Sequence, residues 1–458
     1  MKINKLVLLA GLPLVCGKAF AQANDKQPNI IFILTDDMGV GDLSVYGGTM
    51  VETPNIDRMA DEGVRFTQYY SASPISSPSR AGLITGMHPA NWNINSYLQT
   101  KKGNREAEMA DYLSVKAPSL PRVLKAAGYK TGHFGKWHLG GGRDVTDAPQ
   151  FAEYGYDEYS STYESPAPDP LLTATNWIWS AKDSIPRWDR TAYFIDKTID
   201  FMKRNQNSPC FVNLWPDDMH TPWVGNKEEQ GLAPKGTESK ENFRTVLIEY
   251  DKQIGYLLSR LKEEELDKNT IVIFTSDNGP APSFEHSRTN NLRGCKASLF
   301  EGGIRMPFIV WSSGNLVSKG MIDETSVMSA TDIFPSVCAL TNVSLPKGYK
   351  GDGENMSKAL KGTPQKRGKA IVWEYKRNDS NAFPKARGID ASPNLAIREG
   401  DWKLLVNDNE SDVLLFNLAN DVNEENSVAD TNPKIVKKLK AKVLSWRRSM
   451  PVLKTDGE

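Results

Sequence analysis

Cysteine is scarce in this chain, four residues in 458, and histidine barely commoner at five. So few cysteines cannot build a disulfide framework, and no CxxC or Cys–His spacing reads as a zinc site. An excess of either charge is also lacking: 56 basic side chains face 56 acidic ones. That balance excludes the basic footprint of a nucleic-acid partner. No apolar run is long enough to cross a bilayer as a helix, so no stable membrane insertion is expected. Internal repeats and low-complexity tracts are missing as well.

What is present begins with a processing segment. Lys2 and Lys5 precede the apolar run Leu6 to Cys16, and Ala21-Gln22-Ala23 offers a small-x-small cleavage site. Pro13-Leu14-Val15 before Cys16 makes a poor lipobox, so the reading is a cleaved signal peptide over 1–23 and export, to a bacterial periplasm. Its loss removes three lysines and no acid, leaving a formal charge of −3. Of the cysteines, Cys210, Cys295 and Cys338 then remain. Buried thiols are the expectation, with one disulfide and one free thiol as the alternative.

A chain of this length exceeds what one core serves. Over 24–345, short apolar runs alternate with amphipathic ones, which predicts an α/β unit: a large, mostly parallel sheet sandwiched by helices. Asn29 to Leu34, Cys210 to Trp215 and Thr270 to Thr275 are continuous apolar runs of the kind buried parallel strands need. Tyr129 to Phe134 reads as a further strand, behind a helix over 119–127 that Gly128 terminates. Residues 190–205 and 241–265 read as helices. Over 346–458 the pattern changes to a smaller α+β domain. Ala396 to Arg398 and Trp402 to Leu405 flank a Glu399-Gly400-Asp401 turn, Leu414 to Leu418 adds a strand, and a terminal helix starts at Asn432-Pro433. Val436, Leu439, Val443 and Trp446 share one face of that helix.

Two acidic pairs stand at strand ends: Asp36-Asp37 after the first, and Asp277-Asn278 after the strand at 270–275. Ligands in open α/β sheets bind outside the carboxyl ends of strands, so the pairs can converge. Hard oxygen donors suit calcium or magnesium and not zinc. Singly, each acid reads equally well as a turn cap; together they point to a metal.

Ser76-Ser77-Pro78-Ser79-Arg80 runs straight into Ala81-Gly82-Leu83-Ile84-Thr85-Gly86. Ser76 stands just ahead of a predicted helix, where free N–H groups and the dipole favour an anion. Unassisted, a serine is a weak nucleophile, and on its own Ser76 reads as a helix-capping residue. The wider pattern says more. Asp36-Asp37, Ser76-x-Pro78-Ser79-Arg80, Gly135-Lys136-Trp137-His138-Leu139-Gly140, Asp277-Asn278-Gly279 and Lys296 through Glu301-Gly302-Gly303-Ile304-Arg305 follow one another in order. With Thr331 to Pro335 and the Arg398 to Leu405 hairpin, the chain resembles a formylglycine-dependent, arylsulfatase-type sulfatase.

That resemblance implies an alkaline-phosphatase-like fold for a catalytic unit over 24–345. It implies one calcium held by Asp36, Asp37, Asp277, Asn278 and modified Ser76. It further implies that Ser76 is oxidised to 3-oxoalanine (formylglycine) by an anaerobic-type sulfatase-maturing enzyme, since the residue is serine. The hydrated aldehyde would attack sulfur and release the alcohol, and sulfate would leave by elimination. In that scheme Arg80 and Lys136 orient the hydrate, His138 is the base for elimination, His220 protonates the leaving oxygen, and Lys296 holds sulfate oxygens. The substrate expected is a sulfated carbohydrate. A phosphomonoesterase or phosphodiesterase of the same superfamily is the alternative, although such enzymes use more histidine ligands; an unmodified glycan-binding protein is another.

Of the remaining histidines, His88 reads as structural, with lining the pocket as the alternative, His133 as packed in its strand, and His286 as a loop residue, with reaching substrate as the alternative. Cys295 reads as packing. The stretch 143–188 is rich in aromatics, including Tyr154, Tyr156, Tyr159, Tyr163, Trp177, Trp179 and Trp188. These either wall a sugar subsite or pack on one another. Arg143 and Asp144 are candidate substrate contacts.

Overall fold

The computed structural model describes residues 27–175, 177–226 and 238–453; the signal-peptide reading lies outside the described residues. Nine strands form the larger sheet: β1 (Asn29–Thr35), β2 (Val64–Tyr70), β3 (Lys130–Gly135), β4 (Glu158–Ser161), β5 (Cys210–Trp215), β6 (Thr270–Ser276), β7 (Arg305–Trp311), β8 (Met321–Asp323) and β9 (Met328–Ser329). They lie in the order β4-β3-β5-β1-β6-β7-β2-β8, with β9 also on β2. Pairings from β4 to β6 are parallel, whereas β7 runs antiparallel to both β6 and β2.

The continuous apolar runs follow from this arrangement, because central parallel strands are covered on both faces. Ile30, Phe32 and Leu34 point to one face, where they pack with Phe211, Ile273 and Phe308 beneath helices Ser76–Thr85, Leu120–Ala126 and Ile333–Leu340. Ile31 and Ile33 point to the other, beneath Pro54–Asp61, Arg190–Arg204 and Lys240–Glu263. Helix limits follow local chemistry. Pro54 and Pro121 sit in first turns, where no donor is missed, and the Ser239 hydroxyl accepts from the Asn242 N–H.

A second sheet holds β10 (Ile371–Glu374), β11 (Leu395–Glu399), β12 (Trp402–Val406) and β13 (Leu414–Asn417), all antiparallel. The β11–β12 turn is the expected one, with Gly400 at φ 62°. Helix Pro433–Ser449 covers its outer face through Leu439, Val443 and Leu444, with Val436 and Trp446 partly buried beside them. The inner face packs against the large sheet: Trp373 meets Tyr70 and its indole N–H donates to the Ser71 carbonyl at 2.8 Å. Cys210, Cys295 and Cys338 are buried thiols, and no disulfide occurs among the described residues. Burial pushes the Cys295 and Cys338 thiols up to about 12, which keeps them protonated.

Candidate active site

The β1–β6 register builds the acidic end of the site. Thr35 stands opposite Ser276, so Asp36 and Asp277 emerge side by side from adjacent parallel strands. Asp37 takes a left-handed turn at φ 62°, and its N–H donates to Asp277 Oδ1 at 3.2 Å. Asn278 donates through Nδ2 to Asp37 Oδ1 at 2.7 Å, leaving its carbonyl oxygen turned to Ser76. Gly279 is required at the end of this turn, because a Cβ there would lie 2.1 Å from the Gly302 carbonyl oxygen.

Ser76 is the first residue of its helix rather than a residue ahead of it, Ile75 being the N-cap. The whole helix is buried. Ser76 Oγ lies 3.1 Å from Asp36 Oδ1 and 3.2 Å from Asn278 Oδ1. One turn on, Arg80 donates through Nε and a terminal nitrogen to Asp277 Oδ2 at 2.9 and 2.7 Å, and through the other to the Lys136 carbonyl at 2.8 Å. Its guanidinium is therefore spent on holding the acidic turn and the basic loop together, over the face of Trp215.

The basic groups arrive from the neighbouring strand ends. Gly135 ends β3 at φ 125°, with no room for a Cβ against the Trp215 carbonyl, and the Lys136 N–H donates to that carbonyl at 2.8 Å. Lys136 Nζ then reaches Asp36 Oδ2 at 2.7 Å, and Lys296 Nζ reaches Asp37 Oδ2 at 2.8 Å. His220, after β5, places Nε2 3.7 Å from Asp37 Oδ2. A cavity of about 210 Å³ is lined by Ser76, Lys136, His138, His220 and Lys296, together with Tyr97, Arg143 and Glu164. All ten sequence-derived site residues thus lie in or directly beneath one pocket.

Electrostatics in the cluster are those of carboxylates crowded out of water. Burial would raise Asp36, but Lys136, His220 and Arg80 bring it well below the ordinary carboxylate range. Asp37 behaves likewise through Lys296 and His220. Burial, reinforced by Asp36 and Asp37, pushes Asp277 up to about 6 despite Arg80. Carboxylate oxygens of Asp36, Asp37 and Asp277 lie within 4.8 Å of one another, and the Asn278 oxygen joins them through Ser76. Buried, all-oxygen and poor in hydrogen-bond donors of their own, these side chains fit a hard divalent cation such as calcium.

Other residues resolve differently. His88 lies away from the pocket, its ring edge-on to Trp446 and its backbone N–H donating to the Asp352 carboxylate. His133 is enclosed by Trp137, Phe151, Tyr156 and Trp215. His286 pairs with Asp390 at 2.8 Å beside a separate cavity. Of the aromatic stretch, Tyr154 and Tyr156 belong to the core, Trp179 is buried, and Tyr159 and Trp177 are exposed. Asp144 accepts the Lys101 N–H at the surface, whereas Arg143 enters the pocket.

Sequence reasoning missed three supports. Glu164 pairs with both Arg143 and His138. Arg187 donates to the Asp217 carboxylate and to the carbonyls of Asp217, His220 and Pro222, fixing the loop that carries His220. Arg288 donates to the Asp37 carbonyl at 2.7 Å while paired with Asp42. None stands within a local motif, and no spacing in a single sequence announces them.

Comparison with known proteins agrees with this geometry. The sulfatase family model matches residues 28–343. An N-acetylgalactosamine-6-O-sulfatase of Bacteroides thetaiotaomicron is 31% identical, over 95% of this chain and 97% of its own length. The human N-acetylgalactosamine-6-sulfatase is 33% identical over 74% of this chain and 67% of its own. A solved structure described under the metabolism of multiple glycosaminoglycans by Bacteroides thetaiotaomicron has a TM-score of 0.73 at 26% identity, covering 92% of this chain and 100% of that one. With family model, relatives, fold and pocket in agreement, the chain belongs to the sulfatase family, the sulfuric ester hydrolases of alkaline-phosphatase-like fold.

Proposed function

We propose that this protein removes sulfate from a sulfated glycan of the N-acetylgalactosamine 6-sulfate type, with the oxidised form of Ser76 at the reacting position. The observation that supports this most is Ser76 Oγ between the Asp36 and Asn278 oxygens, in a pocket ringed by two lysines and two histidines. The sugar assignment rests on the N-acetylgalactosamine 6-sulfatases among its relatives. Calcium held by Asp36, Asp37, Asp277, Asn278 and the residue at 76 would supply charge for sulfate oxygens, while the hydrated aldehyde at 76 would supply the oxygen nucleophile.

The chain's own side chains divide the remaining work. Lys136 and Lys296 are anchored on Asp36 and Asp37, so their ammonium groups are fixed in place to receive sulfate oxygens without reorganisation. His220 is held by Arg187 through its carbonyl; as the imidazolium, with Nδ1–H on the Thr221 carbonyl and Nε2–H beside Asp37, it gives the Nε2 proton to the departing sugar oxygen and is left neutral. His138 takes up a proton at the oxygen of residue 76 when sulfate leaves. The pocket holds about 210 Å³, room for little more than one sulfated ring end, which favours attack at a terminal sugar. Export to the periplasm behind the 1–23 leader and oxidation of Ser76 by an anaerobic-type maturing enzyme complete the proposal.

The test pairs two measurements on protein coexpressed with that maturing enzyme. Peptide mass at Ser76 reports the aldehyde, and release of sulfate is compared across N-acetylgalactosamine 6-sulfate, its 4-sulfate isomer, N-acetylglucosamine 6-sulfate and the corresponding phosphate esters. Preferred turnover of the first substrate by aldehyde-bearing protein is expected. An aldehyde-bearing protein that prefers a phosphate ester overturns the proposal, and one that prefers another sulfate corrects the sugar.

A further inference from the structure

We propose that Glu164, held by Arg143, is a positioning residue that fixes the tautomer of His138, so that Nδ1 and not Nε2 carries the lone pair. The inference rests on the reading of His138 as the proton acceptor, and it extends that reading to residues outside every motif in the sequence.

Two oxygen acceptors converge on His138 Nε2: the Leu98 carbonyl at 3.1 Å and Glu164 Oε2 at 3.2 Å. Neither can donate, the one being a carbonyl and the other a carboxylate, so Nε2 must carry the hydrogen. In a neutral ring the lone pair is then at Nδ1. That atom is buried and has no hydrogen-bond partner, while the His138 side chain lines the same cavity as Ser76, Lys136 and His220. Burial, with Lys136 and Arg80 opposing Glu164, pushes His138 down to about 3, which keeps the ring neutral and able to accept.

Glu164 is itself secured. Arg143 donates to its other oxygen, Oε1, at 2.7 Å, so the carboxylate presents Oε2 to the imidazole and cannot turn away. Despite burial, His138, Lys136 and Arg143 hold it down to about 2, so it stays an anion. The backbone repeats the grip: the His138 N–H donates to the Glu164 carbonyl at 3.0 Å. His138 sits in the left-handed region at φ 53°, a conformation that costs energy and persists where neighbours over-determine it. Gly141 allows the two loops to meet, since a Cβ there would fall 2.4 Å from the Pro166 nitrogen.

The experiment reads the tautomer directly. The unmodified chain, with Ser76 as serine, is labelled with ¹⁵N-histidine, and long-range proton–nitrogen correlations report which ring nitrogen of each of the five histidines is protonated. His138→Gln identifies the signal of interest. Wild type is expected to show Nε2–H at His138. In Glu164→Gln, Arg143 claims the amide oxygen and turns the amide N–H group toward Nε2, so a substantial Nδ1–H population is expected. Adding Arg143→Leu to Glu164→Gln frees the amide to rotate and restores Nε2–H. In matured enzyme, Glu164→Gln should lower kcat about 10²-fold with KM unchanged. Wild-type His138 found as Nδ1–H overturns the proposal whether or not any variant folds, and so does a tautomer identical in wild type and folded Glu164→Gln. The tautomer is measured without substrate or aldehyde, so it stands or falls separately from the sulfatase reading.

Discussion

At the scale of single residues the site is a charge balance. Three buried carboxylates, Asp36, Asp37 and Asp277, face three cations, Arg80, Lys136 and Lys296, joined through contacts of 2.7 to 2.9 Å. A divalent cation added to that set leaves an excess of positive charge, which is what a sulfate ester anion requires. Calcium should therefore bind the unmodified chain and raise its melting temperature by mass action. The rise should largely vanish in Asp277→Asn, which keeps the shape but removes one charge. A calorimetric scan with calcium against chelator checks this; equal shifts in both proteins would place the ion elsewhere. The lysines carry a separate expectation. Lys296→Met removes a fixed cation from the pocket and should lower kcat/KM about 10² to 10³-fold, the loss seen when one oxyanion donor is deleted. Steady-state kinetics on matured protein measure it, and a change in KM alone would make Lys296 a binding group only.

At the scale of elements, four adjacent strand ends deliver the site, and one glycine shows how tightly. Gly135→Ala would set a Cβ 2.0 Å from the Trp215 carbonyl oxygen at a φ of 125°, so β3 and β5 must part where Lys136 begins. A destabilisation of about 2 kcal/mol or more is expected from the clash and strain, together with lost activity. Chemical denaturation of the variant decides it; wild-type stability would mean the strand ends are looser than drawn. The same elements explain what could be read from sequence. β1, β5 and β6 were legible because double-sided burial writes itself as an unbroken apolar run. β2 and β7 were not. Each begins with or next to arginine, and Pro307 interrupts β7 where a central strand should carry no proline. The pairing makes room for it through an irregularity: Phe66 faces Phe308 and Tyr69 faces Met306, so Thr67 and Gln68 together oppose Pro307. β10 was missed for a different reason, since four residues in a stretch rich in lysine and glycine carry too little pattern. The metal positions were legible as acidic pairs at the ends of two apolar strands, and the nucleophile only because its motif resembles a family's. Glu164, Arg187 and Arg288 depend on which loops meet, and a single sequence does not encode that locally.

At the scale of the whole molecule, the two sheets are joined by a buried ionic cluster that no part of the proposed chemistry uses. Glu301, from the Glu301-Gly302-Gly303 motif, receives Lys403 of β12 at 2.9 Å and the Tyr70 hydroxyl at 2.7 Å. Lys403 also lies 2.9 Å from Glu424, whose other oxygen accepts the Glu301 N–H. One ammonium between two buried carboxyls cannot neutralise both. Burial opposes ionisation of Glu301, but Lys403, Arg305 and Arg398 bring it down to about 2. Burial together with Glu301 pushes Glu424 up to about 7 despite Lys403. The signs follow by linkage. Glu301, depressed in the fold, contributes stability that is present above its unfolded pKa near 4.5 and lost as pH falls toward 2. Glu424, raised in the fold, holds a proton the unfolded chain has given up, so its contribution is full below about 4.5 and lost as pH rises to about 7. Glu424→Gln fixes that position in a neutral state. Wild type should therefore lose melting temperature relative to this variant between about pH 5 and pH 7, and the difference should stay constant above pH 8. Melting curves of both proteins across that range give the answer, because titrations elsewhere cancel in the difference. A difference that does not change with pH would mean that Glu424 is ionised throughout, and that Lys403 and the arginines around Glu301 suffice for two charges in the seam between the sheets.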